Sequence, residues 1–207
     1  MEFETKVQFL TQPEHNRRTI VISDIHGHRA WLEKLLKKVD FSEKDILIIV
    51  GDMIEKGPES LNTIRYIMEL CEKYTVYPMM GNVDLWRIQM LLTEDGSLDQ
   101  ELYETNERMR QYWKATFFQD LCREAGVSVK TPEEIPAARE AVVAKFQKEL
   151  TFMKELPTIL VTPVFTFVHG GLVHEKLEDN FHLPPFQLLK NDNFINQGKH
   201  FDKYVVV

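Results

Sequence analysis

The chain of 207 residues has little cysteine and no long apolar segment. Its two cysteines, Cys71 and Cys122, form no Cys-x-x-Cys pair, so the sequence indicates neither a disulfide framework nor a cysteine-type structural zinc site. No hydrophobic run approaches the roughly 20 residues that cross a bilayer, and the start of the chain contains no apolar core of a signal peptide. We therefore expect a cytoplasmic protein with free thiols.

Positive charge is also scarce. The chain has 25 basic and 32 acidic residues, which gives a formal net charge of −7. This balance argues against partners such as nucleic acid or an anionic membrane, because both require a positively charged surface. A phosphate site stays compatible with the balance, since a bound metal ion supplies positive charge locally.

Three short apolar runs lie in the first half of the chain. They cover Thr19–Ile22, Ile46–Val50 and Thr75–Met80, and each leads directly into a polar cluster. Short, continuous runs rich in β-branched residues are typical of strands that are buried on both faces. We therefore predict three buried strands here.

Amphipathic helices are predicted between these strands. The first is marked by Trp31, Leu32, Leu35, Leu36 and Val39. The second, with Pro58 at its expected start, is marked by Leu61, Ile64, Ile67, Met68 and Cys71. The alternation of strand, turn and helix predicts a layered α/β fold with parallel strands.

The middle of the chain, from residue 85 to about residue 156, is helical in pattern almost throughout. One apolar stripe comprises Leu98, Leu102, Met109, Tyr112, Trp113 and Phe117. A second comprises Ile135, Ala138, Val142, Phe146, Leu150 and Met153. We expect a helical insert beside the α/β core, whose aromatic residues pack in the core rather than bind a cofactor.

Strand character returns after this segment. Two apolar runs, Thr158–Val161 and Val164–Val168, flank a predicted hairpin turn at Thr162 and Pro163. The chain ends on a further apolar run, Tyr204–Val207. We expect all three runs to form strands.

Polar side chains follow the predicted strands directly. Asp24 and His26 come after the first strand, Asp52 after the second, Asn82 after the third, and His169 after a later one. Each pair of neighbouring motifs among the first three is separated by about one βαβ unit. Because the carboxyl ends of parallel strands meet at one edge of a sheet, we expect these side chains to converge there.

Two carboxylates, two imidazoles and one amide suit a divalent transition metal such as manganese, iron or zinc. A carboxylate can also bridge two ions, which lie about 3.5–4 Å apart in two-metal hydrolases. Taken singly, each motif is equally typical of a turn or a helix cap. The occurrence of all four at strand ends favours a metal site.

The motifs Asp24-Ile-His-Gly, Gly51-Asp-Met-Ile-Glu-Lys-Gly, Gly81-Asn-Val-Asp and His169-Gly-Gly-Leu resemble those of the calcineurin-like metallophosphoesterases. Within that family they are most similar to the phosphoprotein phosphatase branch, which includes serine/threonine protein phosphatases and bacterial diadenosine tetraphosphatases. The resemblance implies a sandwich of two mixed β-sheets flanked by helices. It also implies a single domain over residues 1–207, with the helical insert at about 85–156.

The resemblance further implies roles for the polar residues. Asp24 and His26 would bind a first metal, Asp52 would bridge two metals, and Asn82 and His169 would bind the second. The implied cofactor is a pair of divalent ions; we expect manganese, with iron or zinc as alternatives.

Catalytic roles are implied for four residues. Asn82 can donate its amide hydrogens to a phosphate oxygen. Lys56 stands where the family has a phosphate-contacting arginine, and Glu55 stands where the family has the aspartate that partners a catalytic histidine. That histidine, the acid which protonates the leaving oxygen, is replaced by Val83. His28 lies two residues past His26 and could reach a substrate oxygen instead, although a surface position is the alternative.

The branch also ends on a strand followed by a Gly-His pair that completes the second metal site. Here the run Tyr204–Val207 resembles that strand, and the sequence stops before the pair. We therefore expect a sequence that is truncated at its C-terminus; the alternative is a protein that lacks this ligand.

The expected activity is hydrolysis of phosphomonoesters, as in a serine/threonine protein phosphatase, by attack of a hydroxide held by two metals. The alternatives are hydrolysis of dinucleoside polyphosphates, or a catalytically weak protein that binds a phosphorylated ligand. The substrate would be a phosphoprotein or a nucleotide. Because general acid catalysis contributes about 10²–10⁴-fold, the loss of the histidine predicts slow turnover of alkyl phosphates and a smaller penalty on aryl phosphates or phosphoanhydrides.

Overall fold

The computed structural model describes residues 3–10, 17–92 and 114–207. Most of the first apolar stripe predicted for the insert, from Leu98 to Trp113, lies outside the described residues, as does the part of the insert between residues 93 and 113.

The described chain contains strands and helices in the predicted alternation. The strands are β1 (Val7–Phe9), β2 (Thr19–Ile22), β3 (Ile46–Ile49), β4 (Thr75–Pro78), β5 (Ile159–Val161), β6 (Phe165–Phe167) and β7 (Tyr204–Val206). The helices are α1 (Arg29–Lys38), α2 (Ser60–Lys73), α3 (Asn82–Leu92), α4 (Thr116–Ala125), α5 (Ile135–Lys145), α6 (Gln147–Lys154) and α7 (Pro185–Leu189). Short 3₁₀ turns lie at Pro132–Glu134, Leu177–Asn180 and Phe194–Asn196.

The strands form two sheets. One has the order β2-β3-β4 and is parallel, with Ile20 opposite Leu47 and Leu47 opposite Val76. The other has the order β1-β5-β6-β7 and is mixed, because β5 and β6 form the predicted hairpin while the outer pairs are parallel. The α/β class and the two-sheet architecture are thus confirmed.

The position of β3 between the helices and the second sheet explains why its sequence is continuously apolar. All four of its residues are buried. Leu47 and Ile49 pack in the cluster formed with the helices, whereas Ile46 and Ile48 pack against Leu160 and Phe167 of the other sheet. A strand covered on both faces has no position for a polar side chain, so the polar residues gather where it ends.

Helices α4 to α6 pack beside α2 and α3, as expected for the insert. Its described aromatic residues fill the core, and Phe117, Phe118 and Phe146 are among the largest fully buried side chains. The second predicted stripe is confirmed from Ala138 to Met153, with every stripe residue over that stretch buried.

Three details differ from the expectations. Strand β1 was not predicted, because a three-residue strand among polar residues carries no periodic signal. Helix α2 starts at Ser60 rather than at Pro58. In α1, Leu32 and Leu36 are buried, but Trp31 is 66 % exposed and Leu35 is 40 % exposed, so the apolar face is narrower than the sequence pattern suggested.

Both cysteines are free thiols, as expected. Burial raises the pKa of each to about 11, so neither is a reactive thiolate near neutral pH. Across the ranges that the structure describes, no helix has the length and apolar character of a membrane span.

Candidate metal centre

At the carboxyl edge of the parallel sheet, hydrogen bonds join the loop that follows β2 to the loop that follows β3. The amide of His26 donates to Asp52 O at 2.9 Å, and the amide of Asp24 donates to Gly51 O at 3.2 Å. Asn82 is the first residue of α3, directly after the loop that follows β4, and His169 follows β6 of the second sheet. The five predicted ligand residues are therefore delivered by both sheets to one place.

A first group of ligand atoms comes from Asp24, His26 and Asp52. Each of these residues offers one ligand atom, and the three atoms lie within 4.8 Å of one another. His26 Nε2 is 3.3 Å from Asp24 Oδ1 and 3.5 Å from Asp52 Oδ2. Two carboxylates and an imidazole at this spacing fit one divalent cation.

A second group lies on the other side of Asp52. His169 Nε2 is 3.5 Å from Asp52 Oδ1 and 3.1 Å from Asn82 Oδ1. The Asp52 carboxylate thus turns one oxygen toward His26 and the other toward His169. This is the geometry that a bridging ligand requires, and Asp52 itself is buried.

Hydrogen bonds from Nδ1 to backbone carbonyls fix the orientation of both imidazoles. His26 Nδ1 donates to Ile54 O at 3.0 Å, and His169 Nδ1 donates to Val50 O at 2.8 Å. Because carbonyl oxygens only accept hydrogen bonds, each Nε2 presents a lone pair to the site. His169 Nε2 and Asn82 Oδ1 then direct lone pairs to the same region, and a cation satisfies both.

Positive charge already lies at this edge. Lys56 Nζ is 2.6 Å from His26 Nε2, where it donates to the imidazole. The surrounding carboxylates, imidazoles and amide form a donor set that fits two divalent ions. The structure brings together all five residues that the sequence predicts as ligands.

The backbone of the ligand loops is strained. Asp24, His26, Asp52, Glu55 and Lys56 all have φ between 48° and 70°, a left-handed conformation that costs of order 1–3 kcal/mol each for such residues. At Gly81, a Cβ atom would overlap the backbone and carboxylate of Asp52, so this glycine permits the contact between the two ligand loops.

A residue that the sequence did not single out, Asp84, joins these loops. It is fully buried and accepts hydrogen bonds from the amides of Met53, Ile54 and Gly81 at 3.0–3.3 Å. Burial and the neighbouring Asp52 carboxylate raise the pKa of Asp84. Asp84 lies three residues after Gly81 and accepts from its amide, which is the acidic half of a capping box without the Ser or Thr that would signal it in the sequence.

The predicted catalytic residues lie in different surroundings. Val83 packs its side chain against the core, and its amide donates to Asp52 Oδ1 at 2.9 Å. Glu55 faces away from the ligands and binds Arg87 and the start of α4. His28 is at the N-cap position of α1, and its ring stacks on Trp31. Of the four residues with predicted catalytic roles, Asn82 and Lys56 have a side-chain contact with a candidate ligand: Asn82 with His169, and Lys56 with His26.

Comparison with known proteins identifies the family. The family model described as calcineurin-like phosphoesterase matches residues 17–206. The chain belongs to the calcineurin-like phosphoesterases. This membership, together with the ligand cluster, implies that the site holds divalent metals.

Among individual members of the calcineurin-like phosphoesterases, the matches cover less. The chain is similar to two proteins named symmetrical bis(5'-nucleosyl)-tetraphosphatase. That of Buchnera aphidicola subsp. Schizaphis graminum is 45 % identical over 65 residues, 31 % of this chain and 23 % of the relative. That of Coxiella burnetii strain Dugway 5J108-111 is 34 % identical over 92 residues, 44 % of this chain and 30 % of the relative.

One solved structure, of a candidate diadenosine tetraphosphatase, superposes with a TM-score of 0.54 at 25 % identity. The superposition covers 86 % of this chain and 60 % of that one. The regions that match this chain therefore make up about a quarter to three fifths of the full length of these proteins.

Proposed function

We propose that the chain is a divalent-metal-dependent phosphoesterase that hydrolyses the phosphoanhydride bond of dinucleoside polyphosphates. The observation that carries the catalytic part of the proposal is the Asp52 carboxylate, which turns one oxygen to His26 and Asp24 and the other to His169 and Asn82. We propose manganese as the metal, since carboxylate and imidazole ligands suit it.

The residues of the chain have separate tasks in this reaction. The five predicted ligand side chains would hold the ions, which would supply Lewis acidity and lower the pKa of a nucleophilic water. Lys56 reaches the same edge and neutralises phosphoryl oxygens as a point charge. Asn82 orients a phosphoryl oxygen through its NH₂ group while its Oδ1 faces the ligand cluster.

The choice of an anhydride over a phosphomonoester rests on Val83. An apolar side chain at this position cannot protonate a leaving group, so the leaving group must depart unaided. A nucleotide phosphate does so far more readily than the alkoxide of phosphoserine, and the absent acid would otherwise be worth about 10²–10⁴-fold. The names of the relatives support the same substrate class.

Phosphoprotein hydrolysis is the second candidate, and membership of the family supports it only in general terms. A location in the cytoplasm is part of the proposal as well. The two free cysteines support it, because reduced thiols are typical of that compartment.

The test compares substrates on the 207-residue chain with added Mn²⁺. We expect kcat/KM for diadenosine tetraphosphate to exceed that for a phosphoserine peptide by about 10²-fold or more, with p-nitrophenyl phosphate between them. A chelator should abolish all three activities. Equal rates on the anhydride and on phosphoserine would contradict the substrate assignment, and chelator-resistant hydrolysis would contradict the metal mechanism.

A further inference from the structure

The first turn of α1 presents an aromatic pair that the fold does not use for packing. Trp31 is 66 % exposed although it belongs to an otherwise amphipathic helix whose Leu32 and Leu36 are buried. Its ring lies on the ring of His28, with centroids 4.3 Å apart and planes inclined by 11°. Burial therefore does not explain the tryptophan, since most of its surface remains in water.

The pair is held in a defined geometry. The amide of Trp31 donates to His28 O at 3.0 Å, and that carbonyl also accepts from Leu32 at 3.1 Å. Arg29, which lies between the two rings in sequence, turns aside to Glu33 at 2.8 Å and over the ring of Tyr66 at 5.3 Å. The stack is thus preformed, and the neighbouring cation does not cover it.

The pair is also close to the metal ligands. His28 is two residues from His26, so their Cα atoms are at most about 7 Å apart. His26 is in contact with both Asp52 and Lys56, which bind the ions and the phosphate in the proposed reaction. The exposed aromatic stack therefore lies on the chain directly after the loop that carries His26, near the place where the proposed reaction binds phosphate.

We propose that the Trp31–His28 stack is the platform on which a base of the nucleotide substrate rests. This inference rests on the proposed function and adds to it the subsite that distinguishes a nucleotide from a phosphate without a base. Bases stack on aromatic side chains whatever their sequence identity, because each base has a π-face. Because the two rings already stack in the unbound chain, their side chains need little further ordering on binding.

The test is a set of variants on the intact chain with Mn²⁺. Substitution Trp31→Ala should raise the ratio of KM for diadenosine tetraphosphate to KM for inorganic tripolyphosphate about tenfold, with kcat for the nucleotide largely kept. Trp31→Phe should keep the ratio within about threefold. Leu35→Ala is the matched control, since Leu35 is an exposed apolar residue on the same helix.

A second readout does not need turnover. Calorimetric titration with ADP should show weaker binding in Trp31→Ala by a similar factor, and the binding of Trp31→Phe should remain close to that of the unaltered chain. Quenching of tryptophan fluorescence by ADP should be lost in Trp31→Phe while affinity persists.

The two proposals fail separately. If the chain hydrolyses diadenosine tetraphosphate and Trp31→Ala has the unaltered KM ratio and ADP affinity, the stacking platform is wrong and the proposed function stands. If ADP binding depends on Trp31 but the nucleotide is not hydrolysed, the platform stands and the proposed function is wrong. A chain that binds no ADP overturns the platform.

Discussion

Two buried carboxylates on one loop, Asp52 and Glu55, face opposite regions of the molecule. Asp52 faces the metal centre, where its oxygens lie between two imidazoles at 3.5 Å, and the amide of Val83 is the donor that hydrogen-bonds to it. Glu55 faces the helical insert, where Arg87 donates at 2.8 Å and the amide and hydroxyl of Thr116 donate at 2.9 and 3.1 Å.

The difference between their partners indicates that Asp52 serves binding and that Glu55, three residues later, serves stability. Glu55 has its charge and its acceptor sites matched by protein donors, so it ties the ligand loop to α4 and its charge attracts no further cation. Asp52 receives a hydrogen bond from the amide of Val83, but the two imidazoles beside its oxygens offer lone pairs, so its charge favours binding of a cation from outside. An unmatched buried carboxylate costs folding free energy and is kept where it binds something.

The largest expected effect is on activity at Asp52. Substitution Asp52→Asn removes the charge that would hold two metal ions in the proposed site, and it should lower kcat/KM for diadenosine tetraphosphate by about 10³-fold or more, since metal catalysis is worth several kcal/mol. The melting temperature without metal should stay the same or rise, because a carboxylate near Asp24 and Asp84 is removed. Unchanged activity would show that Asp52 is no bridge.

The reverse result is expected at Glu55. Substitution Glu55→Ala leaves Arg87, whose side chain is only 13 % exposed, without its partner and removes the acceptor at the start of α4. We expect a loss of about 3 kcal/mol of stability, measured by urea unfolding, or roughly 6–12 °C in Tm.

Glu55→Gln is the matched control, because its amide oxygen still accepts hydrogen bonds from Thr116, and its loss should be smaller. If both variants retained wild-type stability but lost activity, the catalytic role predicted from the sequence would replace the anchoring role assigned here.

The contrast between these residues also shows what the sequence could and could not predict. The convergence of the candidate ligands was predictable, because Asp24, His26, Asp52 and Asn82 each follow an apolar strand and parallel strands end at one edge. The buried β3 and the stripes of α5 and α6 were predictable for the same kind of reason, since their periodicity reports burial.

The directions of individual side chains were not predictable. Glu55 and Asp52 have the same chemistry and the same loop, and only the approach of α4, distant in sequence, decides which is satisfied. Trp31 fits a helical stripe by spacing, yet the neighbouring elements leave it exposed. Both outcomes depend on tertiary contacts that a local pattern does not contain.

A smaller effect is expected at Lys56, which lies beside His26 on the metal side of the loop. Substitution Lys56→Met should raise KM for diadenosine tetraphosphate about tenfold, because a charge-assisted hydrogen bond to phosphate is lost. Lys56→Arg should keep KM within a few-fold or lower it, since a guanidinium binds phosphate with two parallel hydrogen bonds. Equal KM values in all three proteins would place the phosphate away from this edge.

The smallest effect is expected at Asp45, a further buried carboxylate, which directly precedes β3 at the end away from the metal centre. Protein donors bind both of its oxygens. Arg18 donates to both of its oxygens at 2.9 Å, and the amide of Ser42 adds a further bond at 2.9 Å. These donors, Arg18 first, hold the pKa of Asp45 at about 2, below its usual value.

A carboxylate with a lowered pKa stabilises the fold above the pKa that it has in the unfolded chain, about 3.9, and loses that effect as the pH falls toward 2. Asp45→Asn should therefore lower Tm by about 2–4 °C at pH 7, with the gap narrowing by pH 3. A gap that stays constant with pH would show that the ionised form of Asp45 contributes nothing, in spite of its ion pair with Arg18.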